Sequence, residues 1–442
     1  MLPDEEWHQE RWWYKLAHVC RRWRRLILTF ASHLRLRLLC TYGTPVADML
    51  ANSPPLPLVI DHFGVDHDVT AEDEERILLA LKHRDRIRSI RLWMPSPSLQ
   101  NLTRAIEDEF PILECLSIEP LTDLNTILFL PKSFHAPRLR EFFLVNFTFP
   151  IGPPLLMTTV GLATLLLANI LPSAHFHIND LLQPLSLMPQ LEALGITFHP
   201  IIPDDGVERH FLHTPITMHI TLPNLYSFTF GGASAYLEAL LPRMTTPLLI
   251  RLRISFFSQL TFSVTHLLQF INTTKNHRFR GTLLTFGENV SMSVYTHVGA
   301  RIDSLFIKIT CEHLNRQLAS AAQILHGLGR IFSAVEYLTL ECKREPSLPE
   351  WNNAADWLQW RELLRPFRKV KTIHVPDSLV RRFSHSLRLE AEESPTELLP
   401  ELKELSYSGS SEAHDVLTAF RVSRENAGYP VTLVGPPQFQ WP

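Results

Sequence analysis

One six-residue pattern, apolar-x-x-apolar-x-apolar, returns eleven times along this chain, and it restricts the possible folds more than any other feature. The copies are IRSIRL from Ile87, LECLSI from Leu113, LREFFL from Leu139, LATLLL from Leu162, LEALGI from Leu191 and LYSFTF from Leu225. They continue with LIRLRI from Leu249, IDSLFI from Ile302, VEYLTL from Val335, VKTIHV from Val370 and LKELSY from Leu402. Successive copies start 23 to 35 residues apart, except for one interval of 53, where RGTLLTF around Leu283 fits as a weakened copy. A leucine-rich chain scatters such hexamers by chance, but chance does not space them this evenly. Many copies follow a proline by two to four residues, as in FPILECL, APRLREF, MPQLEAL, LPNLYSF and LPELKEL.

Helix-like stretches separate the copies, among them SLQNLTRAIEDEF, SAYLEALLPRM, VTHLLQFINTT and NNAADWLQWRELLRPF. A short strand plus a helix per unit of this length describes a leucine-rich repeat. Such a unit cannot bury its own apolar face, so neighbouring units stack into a curved solenoid. Ile87 to about Leu405 therefore reads as a degenerate repeat array, closed by YPVTLV as a last strand. The fold class expected is α/β, a leucine-rich-repeat-like solenoid of parallel strands plus helices.

Strand geometry then names a surface. Alternate side chains of a strand face opposite sides, so the fourth and sixth residues of each hexamer point to the core and those between and beside them point out. Leu116 and Ile118 go in, while Cys115, Ser117 and Glu119 go out. Over all copies the outward set on the concave sheet includes Arg91, Trp93, Phe143, Arg251, Arg253, Phe306, Lys308, Tyr337, Glu341 and His374. Aromatic residues and arginine are the types that dominate protein–protein hot spots, so this face is read as protein-binding. The copies are expected to pair in sequence order, because stacked repeats touch mainly their neighbours.

Ahead of the array lies KLAHVCRRWRRLILTF. Leu16, Val19, Cys20, Trp23, Leu26 and Ile27 fall on one helical face, and Arg21, Arg22, Arg24 and Arg25 on the others. The spacing predicts an amphipathic helix with Trp23 as its core anchor and the arginines solvated. From Arg11 to Arg37 there are eight Lys/Arg and no Asp/Glu. A short basic run by itself is a poor indicator of nuclear import or nucleic-acid binding, and the periodicity favours the packed helix.

The VCRRW helix resembles the C-terminal helix of the F-box. The segment after it, LRLRLLCTYGTPVADMLANSPPLPLVIDHF from Leu34 to Phe63, is similar to that of F-box-like proteins of mushroom-forming fungi, where a comparable stretch follows the same helix. The resemblance runs from about Trp7 to Phe63. The family's opening Leu-Pro-x-Glu turn and IF..L helix have no full counterpart: LPDEEWHQERWWY has Leu2 and Pro3 without the apolar helix. The resemblance implies a partial F-box-like helical segment over 1–63 and a solenoid over 64–442. It also implies a substrate-recognition subunit of a Skp–cullin–F-box type ubiquitin ligase. In that reading Leu16, Val19, Cys20 and Trp23 serve the Skp-type adaptor, cullin joins through it, and an unknown protein substrate sits on the solenoid. With half of the module unmatched, adaptor docking is expected to be weak. The alternative is a repeat scaffold for protein–protein interaction that has lost its ligase connection.

Other classes find little support. The chain's net charge of -3 gives no global basic field for nucleic acid or anionic membrane. No phosphate-binding glycine loop, HExxH or GxSxG occurs, and only 16 glycines are present in 442 residues. No enzyme and no cofactor are therefore expected. Asp61, His62, Asp66, His67 and Asp68 form the densest polar knot, read as a solvated loop and not as a metal site. The pairs His175/His177 and His210/His213 are weaker still. Five separated cysteines suit a reducing compartment, and the acidic, aromatic start does not read as a secretory signal, so a cytoplasmic or nuclear location is expected. Leu155 to Leu171 is largely apolar, but it falls short of the ~20 residues a spanning helix needs. Pro153, Pro154 and Pro172 bracket it, and it reads as a buried strand with its turns.

Overall fold

The structure, a computed structural model, describes residues 12–30, 36–63, 69–121, 128–148, 154–171, 176–199, 216–257, 262–273, 279–296, 304–311, 314–343, 355–387, 396–407 and 411–435. Asp66, His67, Asp68, His175, His210, His213 and Ile302 lie outside the described residues. The fold is α/β, with its main strands mostly parallel. The chain divides into two compact units. One takes in residues up to His199 with Thr221–Asn224, and the other takes in Pro200–Ile220 and Leu225 onward.

The first unit contains seven strands of the main sheet: β1 (Leu38–Cys40), β2 (Leu58–His62), β3 (Ile87–Met94), β4 (Cys115–Pro120), β5 (Glu141–Val145), β6 (Thr164–Ile170) and β7 (Ala193–Phe198). They pair in chain order, every pair parallel. β1 and β2 come from the segment before residue 63, and β2 pairs with β3 after a register shift between Leu58 and Val59, Asp61 beside Arg91. The apolar run expected as a buried strand with turns contains β6, where Leu165, Leu167 and Ile170 are buried.

Helices fill the crossovers that parallel strands require. α1 (Trp12–Ala17) and α2 (Arg21–Thr29) come first, then α3 (Val46–Asn52), α4 (Ala71–Leu81), α5 (Ser96–Ala105) and α6 (Ile178–Leu185). The start of α4 is written in its sequence, with Thr70 and Asp73 forming a reciprocal capping box. The Thr70 hydroxyl accepts from the Asp73 N–H at 3.2 Å, and an Asp73 carboxylate oxygen accepts from the Thr70 N–H at 3.2 Å. The helix buries Ile77, Ala80 and Leu81.

The second unit contains nine strands of the main sheet among the described residues. β8 (Ser227–Gly232) and β9 (Arg251–Phe256) are followed by β10 (Gly281–Phe286), β11 (Asn289–Tyr295) and β12 (Leu305–Thr310). β13 (Tyr337–Cys342), β14 (Thr372–Val375), β15 (Glu404–Tyr407) and β16 (Thr432–Val434) complete the set. Its longer helices are α7 (Ser234–Leu240), α8 (Thr265–Thr273), α9 (Leu314–Gly327), α10 (Ala355–Leu364), α11 (Asp377–Ser386) and α12 (Ser411–Asn426). Trp360 of α10 meets Phe286 of β10 at 5.4 Å between ring centroids, and Tyr236 of α7 stacks on Phe230 of β8 at 6.0 Å. Those contacts place helices on the apolar side of these strands.

All fourth and sixth residues of the eleven hexamers are buried, none more than 5% exposed. The fifth residues are partly or fully exposed in ten copies. The exception is Gly195, which is covered by the side chain of its neighbour Leu166; a Cβ added there would sit 2.2 Å from the Leu166 Cδ2. The alternation predicted from the pattern holds along the described chain.

The expected strand order fails in one place. The chain leaves β9 through α8, passes two strand positions and forms β10, then reverses tightly at Gly287 and Glu288 into β11. It returns once more as β12, which pairs in parallel with β9. β11 is antiparallel to both β10 and β12, while β10 pairs in parallel with β13. The hexamer from Ile302 therefore lies beside the one from Leu249, and the weakened copy around Leu283 lies beside the one from Val335. The cause is local: two alternating apolar runs, GTLLTF and NVSMSVY, are joined by only two residues, too few for a parallel crossover and enough for a hairpin.

Candidate binding surface

The N-terminal segment differs from the single packed helix expected. Cys20 adopts an extended backbone, φ -160 and ψ 168, and its sulfur accepts from the Trp23 N–H at 3.5 Å, so it caps α2 and separates it from α1. With the helix restarted, the buried anchors are Trp13 at 4% and Ile27 at 6% exposure. Val19 at 63%, Trp23 at 47% and Leu26 at 50% face outward, and Leu16 is half-buried. Trp23 is therefore not the core anchor. The four arginines are exposed as expected.

In the first unit, the row Asp61, Arg91, Ser117, Phe143, Leu166, Gly195 crosses β2 to β7 on the outward face. Arg91 reaches Glu141 at 3.7 Å, one row away and two strands on. Trp93 stands beside Glu119 and packs against Phe63, with ring centroids 5.7 Å apart. Burial pushes the Glu119 carboxyl above its usual range, and burial likewise raises the Cys115 thiol, against the pull of Arg91. The cation of this face is thus compensated by carboxylates.

In the second unit, Arg253, Phe306, Ser293, Leu283, Thr339, His374 and Ser406 form one outward row. The Arg253 guanidinium carbon lies 5.9 Å from the Phe306 ring centroid. A second row runs Ser255, Lys308, Ser291, Thr285, Glu341. There the Thr285 hydroxyl donates to Glu341 at 3.4 Å. His374 Nδ1 is 3.0 Å from the Ser406 hydroxyl. Tyr337 and Arg251 sit on the same face one row toward the strand starts, beside Gly281 and Ser227.

The fold brings all ten predicted face residues to the outward side of the strands, four of them exposed or packed against one another. No family model and no curated protein matches this chain.

Other features carry less. Among the described residues no group of three or more His, Cys, Asp or Glu could hold a metal ion, and no helix is long and apolar enough to cross a membrane. An open groove of about 730 Å³ runs beside α3 and α4. Its acids Asp48, Glu72, Glu75 and Glu107 face Arg76, Lys82 and Arg84, and Arg76 is tied to Glu72 and Asp73. Sequence reasoning missed Arg424 of α12, which is fully buried. It donates to the carbonyls of Leu399, Pro400 and Leu402 and lies over the Phe420 and Tyr429 rings. Nothing in the local pattern distinguishes it from the solvated arginines around it.

Proposed function

We propose that this chain is a non-catalytic protein-binding module, an irregular solenoid whose outward sheet face holds a protein substrate. α1 and α2 connect it to a Skp–cullin–F-box type ubiquitin ligase, in the cytoplasm or nucleus. The observation that carries the binding role is the open row of Arg253, Phe306 and His374, set on strands whose opposite faces are fully buried. A rigid sheet holds these side chains at fixed spacing, which lowers the entropy lost on binding. Support for the ligase connection is the apolar pair Trp23 and Leu26 on the exposed side of α2, within the segment that resembles the F-box helix. Large apolar side chains left exposed at helical spacing suit a partner groove.

Affinity purification of the full chain tests both parts. Weak co-purification of the adaptor and cullin, abolished by Trp23→Asp with Leu26→Asp, is the expected result. Recovery of protein partners without adaptor or cullin leaves the repeat scaffold as the function. Recovery of neither removes the proposal.

A further inference from the structure

We propose that the outward face of β8, β9, β12 and β11 in the second unit holds an acidic segment of a partner polypeptide. This rests on the reading of that face as protein-binding and adds the chemistry of what binds.

Charge on this face is one-sided. The outward positions of β8 are Ser227, Thr229 and Gly231, and those of β9 are Arg251, Arg253 and Ser255. β12 adds Phe306, Lys308 and Thr310, and β11 adds Asn289, Ser291, Ser293 and Tyr295. Three cations and no carboxylate stand among them, although the chain as a whole has more acids than bases. The first unit shows the opposite arrangement, with Arg91 held by Glu141. No ion pair within 4.0 Å joins Arg251, Arg253 or Lys308 to a carboxylate of the described residues.

The arrangement of the cations is specific. Arg253 lies between Thr229 and Phe306 in its row, with the ring beneath its guanidinium. Lys308 lies between Ser255 and Ser291. Lys308 thus has a hydroxyl on either side, and Arg253 and Arg251 each have one, Thr229 and Ser227, that can donate to the same carboxylates the cations attract. The patch ends at Glu341 on β13, which already accepts from Thr285. A partner running across the strands meets positive charge and hydroxyls first and a repelling carboxylate last, so its acidic residues settle over β9 and β12. Three cations are few for nucleic acid, whose affinity comes from many phosphate contacts; an acidic peptide needs only a few, reinforced by Phe306 as an apolar contact.

The probe is a short fluorescein-labelled peptide of alternating glutamate and alanine, read by anisotropy at low salt against the full chain. The expected result is saturable binding, weakened about tenfold by Arg253→Gln with Lys308→Gln and by added salt. A glutamine-for-glutamate peptide should not bind, and Lys132→Gln with Arg138→Gln, which removes two exposed cations of the first unit, should leave affinity unchanged. Circular dichroism confirms that the variants are folded. The inference is overturned by no binding, by equal affinity for wild type and the Arg253/Lys308 variant, or by a single-stranded oligonucleotide displacing the peptide at lower concentration. Adaptor co-purification is measured on the same proteins. Absence of peptide binding by the unsubstituted chain with the adaptor retained removes this inference alone, and peptide binding without adaptor or cullin removes the ligase connection alone.

Discussion

Glu238 on α7 caps a helix that begins 27 residues later in the chain: its carboxylate accepts from the backbone N–H of Leu267 at 2.8 Å and of His266 at 2.7 Å. These are first-turn amides of α8, which have no partner inside their own helix, and a carboxylate suits the positive end of the helix dipole. The His266 ring also approaches it, at 3.2 Å. One buried acid thus joins two successive helices of the second unit. Glu238→Ala should cost about 2–3 kcal/mol, as expected for charge-assisted hydrogen bonds lost from a buried site. Glu238→Gln, which keeps one acceptor, should cost less. Urea denaturation gives the cost, and hydrogen exchange at the His266 and Leu267 amides should accelerate first.

Anchoring of the N-terminal helices moves to residues other than the tryptophan that stands out in the sequence. Trp13→Ala should destabilise this segment by about 3–5 kcal/mol and Ile27→Ala by about 2–4 kcal/mol, as for buried side chains elsewhere. Trp23→Ala should stay within about 0.5 kcal/mol, the range of exposed substitutions. Thermal melts followed by tryptophan fluorescence distinguish the three variants.

His62 gives the first unit a pH dependence. The ring is 1% exposed, and the Tyr42 ring lies 4.4 Å away, edge to face. Burial lowers its pKa from 6.5 to about 4, with Asp73 opposing the shift and Arg76 adding to it. The unfolded state therefore binds the proton more readily. The resulting stability is fully present above the ordinary value of 6.5 and is lost as pH falls from there toward about 4. Its size is about 3 kcal/mol. The urea midpoint should fall between pH 7 and pH 5, and His62→Phe should flatten that fall.

The cysteines should differ sharply in reactivity. Cys20 is exposed at the start of α2, whereas burial pushes the Cys40 thiol up to about 12. A maleimide at neutral pH should label Cys20 in the native chain and leave Cys40 unmodified until the protein is denatured. Mass spectrometry of tryptic peptides locates the label.

These differences show which parts of the molecule could be read in advance. Burial of Leu116, Ile118, Leu338 and Leu340 was legible because a strand's period of two leaves a regular trace in composition. Which strand lies beside which leaves no such trace, so the position of Leu305 beside Leu252 could not be read from either hexamer. The short link at Gly287 and Glu288 between two alternating runs was the available signal. Helical periodicity around Trp23 was also real, but the capping by Cys20 sets a new phase, and a stripe computed across it mixes two helices. The outward set on the strands followed from the same alternation, while its segregation of charge appeared only once β12 was seated beside β9.

The out-of-order placement of β12 has a consequence for how the chain assembles. Most strands can settle on a neighbour already in place, closing a loop of one unit. β9 cannot complete its second edge that way: its partner Leu305 lies 53 residues beyond Leu252, past a hairpin that must itself form. Closing so long a loop is slower than closing a single unit. As the protein emerges from the ribosome, β9 waits as an open edge, with unpaired amides and carbonyls available to any other strand. It stays so until residue 310 is free. During that interval β9 is open to pairing with the wrong chain.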